Sequence, residues 1–430
     1  MDQTICLLND SFPPFIDGVA NTVLNYAREL TNHGYHPAVI TPANPQAEDS
    51  VYPYPVIRYP SVDARRLTGY MAGIPFSPKI AQQLSREPVA LLHSHCPIVS
   101  TLMGRQLRQI VDAPLVLTYH TKFDIDIANI LHSKMLQAGS KKALLANINA
   151  CDEIWTVSRG AGENLRSLGY EGDYLVMPNG VDMPRQRVSE EQIHSVTKAY
   201  NLPEGVPVYL FVGRMMWYKG LRIILDALRR LKEAGKDFRM VFVGDGADRD
   251  EVEEYARQCG VSEQCIFTGA VRDRDGLRAW YCRGDLFLFP STFDTNGLVV
   301  REAAACGLAS VLIAGSCAAE DVTDGVNGFL IEENGESLFR CLLALHDCRD
   351  TLSAVGQNAA RDLYVSWEDA VRLAEQRYGV VMERYRSGGY PSHKKPMEYV
   401  LKANGELMED LGNLLELRDQ IAQHIRERQR

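Results

Sequence analysis

Three short stretches of this chain combine charged side chains, glycine and the start of a helical pattern in a way that suits a phosphorylated ligand. The first is Phe211-Val212-Gly213-Arg214-Met215-Met216-Trp217-Tyr218-Lys219-Gly220. Two fixed cations flank a loop between an apolar run and a helical pattern. An arginine can grip phosphate oxygens with its fork, and a lysine adds a point charge. The second runs from Phe289 through Asp294, Asn296, Gly297 and Leu298 to Glu302. A helix is expected near Gly297, because Val299-Val300 and Ala303-Ala304-Ala305 give it a packing face. Its first amides have no intrahelical partner and suit phosphate. Glu302, in the second turn, is placed to meet a ribose diol beside the phosphates. The third is Ser11 to Val19, where Gly18 would let backbone approach a ligand ahead of a helix start. A loop glycine, a solvated cation or an exposed helical glutamate is an ordinary thing singly. It is the Arg214/Lys219 loop taken with Gly297 and Glu302 that favours a ligand.

Other residues carry weaker signals. Tyr119-His120-Thr121 closes an apolar run, which makes His120 an active-site candidate by position. Alternation along a strand puts His93 and His95 on one face, but no carboxylate cluster completes a metal site around them. Val243-Gly244-Asp245-Gly246 reads as a tight turn. No Gly-x-x-x-x-Gly-Lys-Ser/Thr phosphate loop occurs.

These stretches need a scaffold, and the apolar runs supply one. Thr4–Leu8, Ala38–Thr41, Val89–Leu92, Leu115–Thr118 and Glu153–Val157 read as strands separated by helical patterns, such as Val23, Leu24, Ala27 and Leu30. The rhythm restarts at Val208–Val212 and continues through Arg239–Val243, Leu286–Phe289 and Ser310–Ile313. Alternating strands and helices imply α/β domains with parallel sheets covered on both faces. In such sheets ligands bind outside the carboxyl ends of the strands, where the three stretches fall. Two doubly wound domains are expected: 1–185, completed by a returning helix at about 365–386, and 186–364. The polar, proline-containing stretch from about Met183 to Pro207 is the expected connector. Residues 390–430 read as a helical extension outside both sheets, with Leu407, Leu411, Leu414, Ile421 and Ile425 on one face at nearly heptad spacing. Gly405 and Gly412 are expected to weaken that helix.

Composition excludes several classes. The 430 residues carry 46 Lys+Arg against 55 Asp+Glu, so an electrostatic grip on nucleic acid is not expected. No apolar run reaches the ~18 residues of a spanning helix, and Met1–Asp10 lacks the features of a signal peptide. The ten cysteines are scattered, with no Cys-x-x-Cys pair, as in a reduced cytoplasmic protein.

Taken in order, the motifs resemble glycosyltransferase family 4, retaining enzymes of the GT-B fold in which two Rossmann-like domains face each other across a cleft. The resemblance spans about residues 3–385. It comprises Pro13-Pro14 with Gly18, Tyr119-His120-Thr121, Val157-Ser158, Pro178-Asn179-Gly180-Val181-Asp182, Val212-Gly213-Arg214 with Lys219-Gly220, Gly244-Asp245-Gly246, Thr268-Gly269-Ala270-Val271, Pro290-Ser291, and Gly297-Leu298 before Glu302-Ala303. The run through Tyr119 to Asp182 is most similar to the branch that glucosylates diacylglycerol or makes sulfoquinovosyl lipids. The family's paired glutamates, seven residues apart, correspond to Asp294 and Glu302, so the first is one methylene shorter here.

What the resemblance implies is a hexosyltransferase whose donor is a nucleotide-diphosphate sugar, UDP- or GDP-linked, with no cofactor and no bound metal. Arg214, Lys219 and the amides of Asn296, Gly297 and Leu298 would hold the diphosphate, with Gly18 adding an amide. Glu302 would hold the ribose, Val271 would lie near the base, and Asp294 and His120 would meet the sugar. The acceptor would be a hydroxyl, on a lipid or on a saccharide or other small molecule. Two alternatives are a nucleotide-sugar 2-epimerase of the same fold, for which no distinctive acid–base set is visible, and a catalytically silent binding protein, against which the Arg214/Lys219 loop and Glu302 argue. Arg65-Arg66, Arg105, Arg108, Lys134 and Lys141-Lys142 are candidates for anionic lipid headgroups at the inner membrane face. The C-terminal helix is expected to pair in a homodimer, since a lone amphipathic helix must bury its stripe somewhere.

Overall fold

The computed structural model describes residues 3–15, 17–65, 70–121, 134–390, 400–414 and 416. The chain divides into two compact units, one of residues 1–177 with 370–430 and the other of residues 178–369.

In the first unit, β1 (Thr4–Leu8), β2 (His36–Pro42), β3 (Val56–Tyr59), β6 (Val89–Ser94), β7 (Leu115–Tyr119), β8 (Glu153–Thr156) and β9 (Leu175–Val176) form one sheet, and β4 (Ser61–Asp63) and β5 (Met71–Gly73) form a separate antiparallel pair. The sheet order is β3-β2-β1-β6-β7-β8-β9, with every pairing parallel. In the second unit, β10 (Val208–Val212), β11 (Arg239–Val243), β12 (Cys265–Gly269), β13 (Leu286–Phe289), β14 (Ser310–Ile313) and β15 (Phe329–Ile331) run in the order β12-β11-β10-β13-β14-β15, again all parallel.

Parallel strands must be joined by crossovers, and helices on both faces leave central strands no contact with water. Val208–Val212 and Leu286–Phe289 are accordingly buried at every position. The strand order reverses between β1 and β6 in the first unit and between β10 and β13 in the second. A crevice opens at such a reversal, outside the carboxyl ends of the two strands. The Arg214–Lys219 loop follows β10 and the Asp294–Glu302 stretch follows β13, so the switch point brings them together. The Gly18 loop follows β1, while His95 and His120 follow β6 and β7.

Two expectations about organisation need correcting. The stretch read as a connector belongs to the second unit's core: Met183, Val188 and Ile193 are all buried there, and Ser189 begins the helix Glu190–Thr197 with a capping box. The scattered charges around these apolar residues hid their spacing. The expected strands also omitted β3, β4, β5, β9, β12 and β15, which are short or only half-buried and give weak alternation.

The helix Trp367–Arg386 starts in the second unit and belongs to the first from residue 370 onward. It is tied there by Arg377 to the Glu153 carboxylate, by Glu375 to His33, and by the Tyr378 hydroxyl, 2.6 Å from His93 Nδ1. The extension was expected to lie outside both sheet domains. Its described residues 400–414 are instead a helix docked on the first unit. Leu401, Gly405, Met408 and Gly412 face inward, while Leu407 and Leu414 are exposed. The glycines are the reason for the fit. A Cβ on Gly412 would lie 2.5 Å from the Pro78 carbonyl oxygen, and one on Gly405 would lie 3.3 Å from Ile110 Cγ1. The residues that weaken the helix in isolation therefore allow its backbone to approach the helices Pro78–Ser85 and Val99–Val111. Gln82 reaches Asn413, Arg86 reaches Glu416, and the Met408 sulfur accepts from the Ser77 amide. Ile421 and Ile425 lie outside the described residues.

Replacing Gly412 with leucine should lift this helix from its seat. Amide hydrogen exchange across 400–414 is then expected to speed up by at least tenfold, with exchange in β1 and β6 unchanged, since local opening reports local contacts. Unchanged protection would mean that the glycine contact does not hold the helix.

Candidate functional site

The second unit presents two loops built against each other. Gly220 adopts a left-handed backbone with φ of +78°, and a Cβ there would sit 1.9 Å from the Pro290 carbonyl oxygen. Only glycine satisfies both demands, and the contact locks the loop after β10 onto the loop after β13. Lys219 is held at that junction, with only 8% of its surface exposed. Its Nζ donates to Asp294 Oδ1 at 2.5 Å, and the Ser291 hydroxyl donates to Asp294 Oδ2 at 2.6 Å. Arg214 lies exposed on the same loop, and no side-chain partner is seen for it among the described residues. A buried lysine already paired with a carboxylate thus shares its loop with an exposed arginine.

The helix Leu298–Ala305 starts from Gly297, also left-handed with φ of +58°, and no side chain caps it; the helix Leu221–Glu233 starts from Gly220 and is likewise uncapped by any side chain. The partial positive charge of both N-termini is left for a ligand. Asn296 and Gly297 are buried at the first of these starts, with Leu298 half-buried behind them. Glu302, one turn on, is 8% exposed. Burial raises its carboxyl above the usual range, while the Arg274 guanidinium and the Tyr281 hydroxyl oppose that rise. Tyr281 donates to Oε2 at 3.0 Å and Arg274 to Oε1 at 3.3 Å. Val271 is half-buried beyond β12, two residues before Asp273, which caps the helix Arg274–Arg283. Arg214, Lys219, Val271, Asp294, Asn296, Gly297, Leu298 and Glu302 therefore all belong to one unit and to strand carboxyl ends. Ser291, Arg274 and Tyr281 were not anticipated. Ser291 was noted only within the Pro290-Ser291 motif, with no role given; Arg274 and Tyr281 are marked by their bonds to Glu302 and not by their local sequence.

The first unit treats its helix starts in the opposite way. Gly18 is exposed at the head of the helix Gly18–Asn32, but Asp17 already accepts from the Val19 and Ala20 amides at 2.9 and 2.7 Å. Asp10 accepts from the Val99 and Ser100 amides at the head of the helix Val99–Val111. Carboxylates fill both of these starts, whereas the second unit's starts at Gly220 and Gly297 carry no side-chain cap.

His120 is 6% exposed and belongs to a buried imidazole cluster. Its Nε2 lies 3.1 Å from His95 Nδ1, and the His93 and His95 rings are 4.0 Å apart. His93 is fixed at both ends, by the Tyr378 hydroxyl and by Thr118 Oγ1 at 2.7 Å. Tyr26, Trp155 and Tyr378 wall the cluster. The pair His93/His95, weighed as metal ligands from the sequence, thus spends ring nitrogens on hydrogen bonds within the protein. Burial lowers all three histidines, His120 to about 3, so the imidazoles are neutral at ordinary pH.

Comparisons with known proteins agree with this architecture. The family model for glycosyltransferase family 4 matches residues 16–185, and that for group 1 glycosyl transferases matches residues 193–362. The chain is 25% identical to a GDP-mannose-dependent α-mannosyltransferase of Corynebacterium glutamicum over 76% of each chain. It is 22% identical to the α-monoglucosyldiacylglycerol synthase of Acholeplasma laidlawii, over 83% of this chain and 91% of that one. Among solved structures, HepE of Anabaena in complex with UDP superposes with a TM-score of 0.71 at 17% identity, over 88% of this chain and 100% of that one. The two parallel α/β units are those of the GT-B fold. The chain belongs to glycosyltransferase family 4, and it is a hexosyltransferase.

The neutral imidazoles give a pH dependence with a definite sign. Their pKa values are lower in the folded chain than the ordinary 6.5, so the unfolded chain binds more protons below that value. Stability is complete above pH 6.5 and is lost as the pH falls from there toward 3. For His120, the loss at pH 5 comes to about 2 kcal/mol. Urea unfolding followed by tryptophan fluorescence should show a fall in midpoint between pH 7 and 5, smaller in His95→Gln. A midpoint that is flat over this range would show that the cluster does not carry the titration.

Proposed function

We propose that the protein transfers a hexose from a nucleotide-diphosphate sugar to a hydroxyl acceptor with retention of anomeric configuration, and that the acceptor is a lipid. The observation that carries this is the Lys219–Asp294 contact beside Arg214 and two uncapped helix starts. A diphosphate is a leaving group that gains charge as the bond to the anomeric carbon breaks. Cations and amides fixed in advance stabilise that charge more in the transition state than in the ground state. In this assignment Arg214, Lys219 and the amides of Asn296, Gly297 and Leu298 hold the diphosphate. Glu302 holds the ribose, Val271 lies near the base, and Asp294 faces the sugar.

Retention through a covalent intermediate would require a free carboxylate nucleophile. Asp294 is engaged through both oxygens, by Lys219 and Ser291. A front-side displacement fits better. The acceptor oxygen bonds to the anomeric carbon on the face that the phosphate leaves, and the departing phosphate oxygen takes the acceptor's proton. No residue then has to act as a strong base, in keeping with a neutral, buried His120.

The relatives leave the donor base open between UDP and GDP, since the mannosyltransferase is GDP-mannose-dependent by name and HepE was solved with UDP. The lipid acceptor draws support from the glucosyldiacylglycerol synthase. Work on a lipid acceptor would take place at the inner membrane face, as a peripheral contact. No described helix is long and apolar enough to cross a membrane. The basic residues first considered for that contact are fewer than the sequence suggested. Arg105 and Arg108 are buried, the first on Asn147 and the second on the Ala150 carbonyl and Asp152. Their place on the inner face of a helix, which charge alone does not reveal, removes them from the surface. Arg65 and Lys142 are exposed. Arg66 lies outside the described residues, as does the Lys134 side chain.

Lys219→Ala and Arg214→Ala should each lower turnover on the order of 10²-fold, as removal of one transition-state donor does. The assay is transfer from UDP-glucose and GDP-mannose, tritiated in the sugar, to diacylglycerol in vesicles and to soluble saccharides. Near-wild-type turnover in both variants would overturn the assignment of this loop, and transfer to saccharides alone would overturn the lipid acceptor.

A further inference from the structure

Buried polar side chains in a folded protein are almost always hydrogen-bonded, and each exception calls for a cause. Asn296 is such an exception in both of its functional atoms. The residue is 8% exposed, and neither Nδ2 nor Oδ1 has a partner. The Ser316 hydroxyl, on a residue 7% exposed, is unpartnered as well. The two belong to the same corner of the second unit. Asn296 follows β13 and Ser316 follows β14, its hydrogen-bonded neighbour. Gly297, next to Asn296, packs against Ala318, two residues beyond Ser316: a Cβ on Gly297 would lie 2.7 Å from the Ala318 Cβ. A buried amide left unpaired bears the cost of its lost hydration, and a ligand that pairs with it offsets that cost.

We propose that the side-chain carboxamide of Asn296 binds a hydroxyl of the transferred sugar, with the Ser316 hydroxyl as its companion. This rests on the donor site proposed above and assigns to Asn296 a second role, separate from that of its backbone amide. The chemistry of the two atoms decides the ligand. Phosphate oxygens at neutral pH only accept, so they would satisfy Nδ2 and leave Oδ1 orphaned. A hydroxyl both donates and accepts, and so can meet the amide at either end. The ribose has a different partner in Glu302, itself fixed by Tyr281 and Arg274. Asp294, two residues before Asn296, is turned toward Lys219 and Ser291. The neutral, polyhydroxylated part of the donor is the group that matches a neutral amide able both to donate and to accept.

The test is calorimetric titration of UDP, UDP-glucose, GDP and GDP-mannose into the full chain and into Asn296→Leu and Asn296→Ala. Leucine has the same branched shape, with methyl groups in place of Oδ1 and Nδ2, and no hydrogen-bonding atoms; alanine removes the amide without adding bulk, and the free protein loses no hydrogen bond in either exchange. The leucine variant's melting temperature is therefore expected to equal or exceed that of the wild type. Affinity for the nucleotide sugar should fall about tenfold or more, as for two lost hydrogen bonds, with affinity for the matching nucleoside diphosphate changed less than about twofold. An equal fall for both ligands, or no fall for either, would overturn the inference while leaving the donor site standing. A melting temperature lowered by both substitutions would also overturn it, because the amide would then be holding the loop. If the wild-type chain binds none of the four ligands, the donor site itself is wrong and the inference falls with it.

Discussion

Lys219 and Asp294 hold each other across the ends of two neighbouring strands, and much of the second unit serves to keep them there. A lysine so little exposed would carry an uncompensated charge without a partner, and breaking a buried pair from one side costs about 3–5 kcal/mol. The carboxylate is fixed in turn by Ser291, and the two loops cannot drift because Gly220 has no side chain to separate them from Pro290. The strand order supplies the rest. With the sheet reversing between β10 and β13, two loops far apart in sequence end side by side, each leading into a helix with no side-chain cap. The lysine is desolvated and oriented before any ligand binds, so the phosphate of the proposed donor would demand little reorganisation there.

The first unit repeats the topology without repeating the electrostatics. Its switch-point helices are capped by Asp17 and Asp10, so their amides at Val19, Ala20, Val99 and Ser100 are occupied. It also holds three neutral imidazoles in an aromatic box, His95 hydrogen-bonded to His120 and His93 to Tyr378 from the helix Trp367–Arg386. That helix and the docked helix 400–414 make the first unit a product of both ends of the chain. One fold, used twice, thus gives one unit with uncapped helix starts beside a buried lysine and one with carboxylate-capped starts and a neutral imidazole cluster.

Much of this was legible in the sequence because strands at a switch point must be apolar throughout and their loops must carry the chemistry. Val208–Val212, Leu286–Phe289, Lys219, Gly297 and Glu302 stand out for that reason. The companions of the site do not. Ser291, Tyr281 and Arg274 matter only through partners 3 to 28 residues away, and one chain read linearly has no means of pairing them. His93 was weighed for metal because its distant partner Tyr378 could not be foreseen. The glycines at 405 and 412 were misjudged for a related reason. Propensity describes a helix alone, and these residues answer to the surface on which the helix lies.

The measurement that bears most directly on the Lys219–Asp294 pair is the affinity of Asp294→Asn for a nucleoside diphosphate, compared with wild type by calorimetry with UDP and GDP. If the carboxylate serves as the lysine's counter-charge while the Gly220–Pro290 contact keeps the loops in place, its neutralisation leaves Lys219 charged and unpaired, and the diphosphate becomes its best remaining partner. The expected result is binding at least as tight as wild type, with a larger rise in melting temperature on adding ligand. Binding weakened tenfold or more would contradict this, because it would mean that the diphosphate depends on the carboxylate itself.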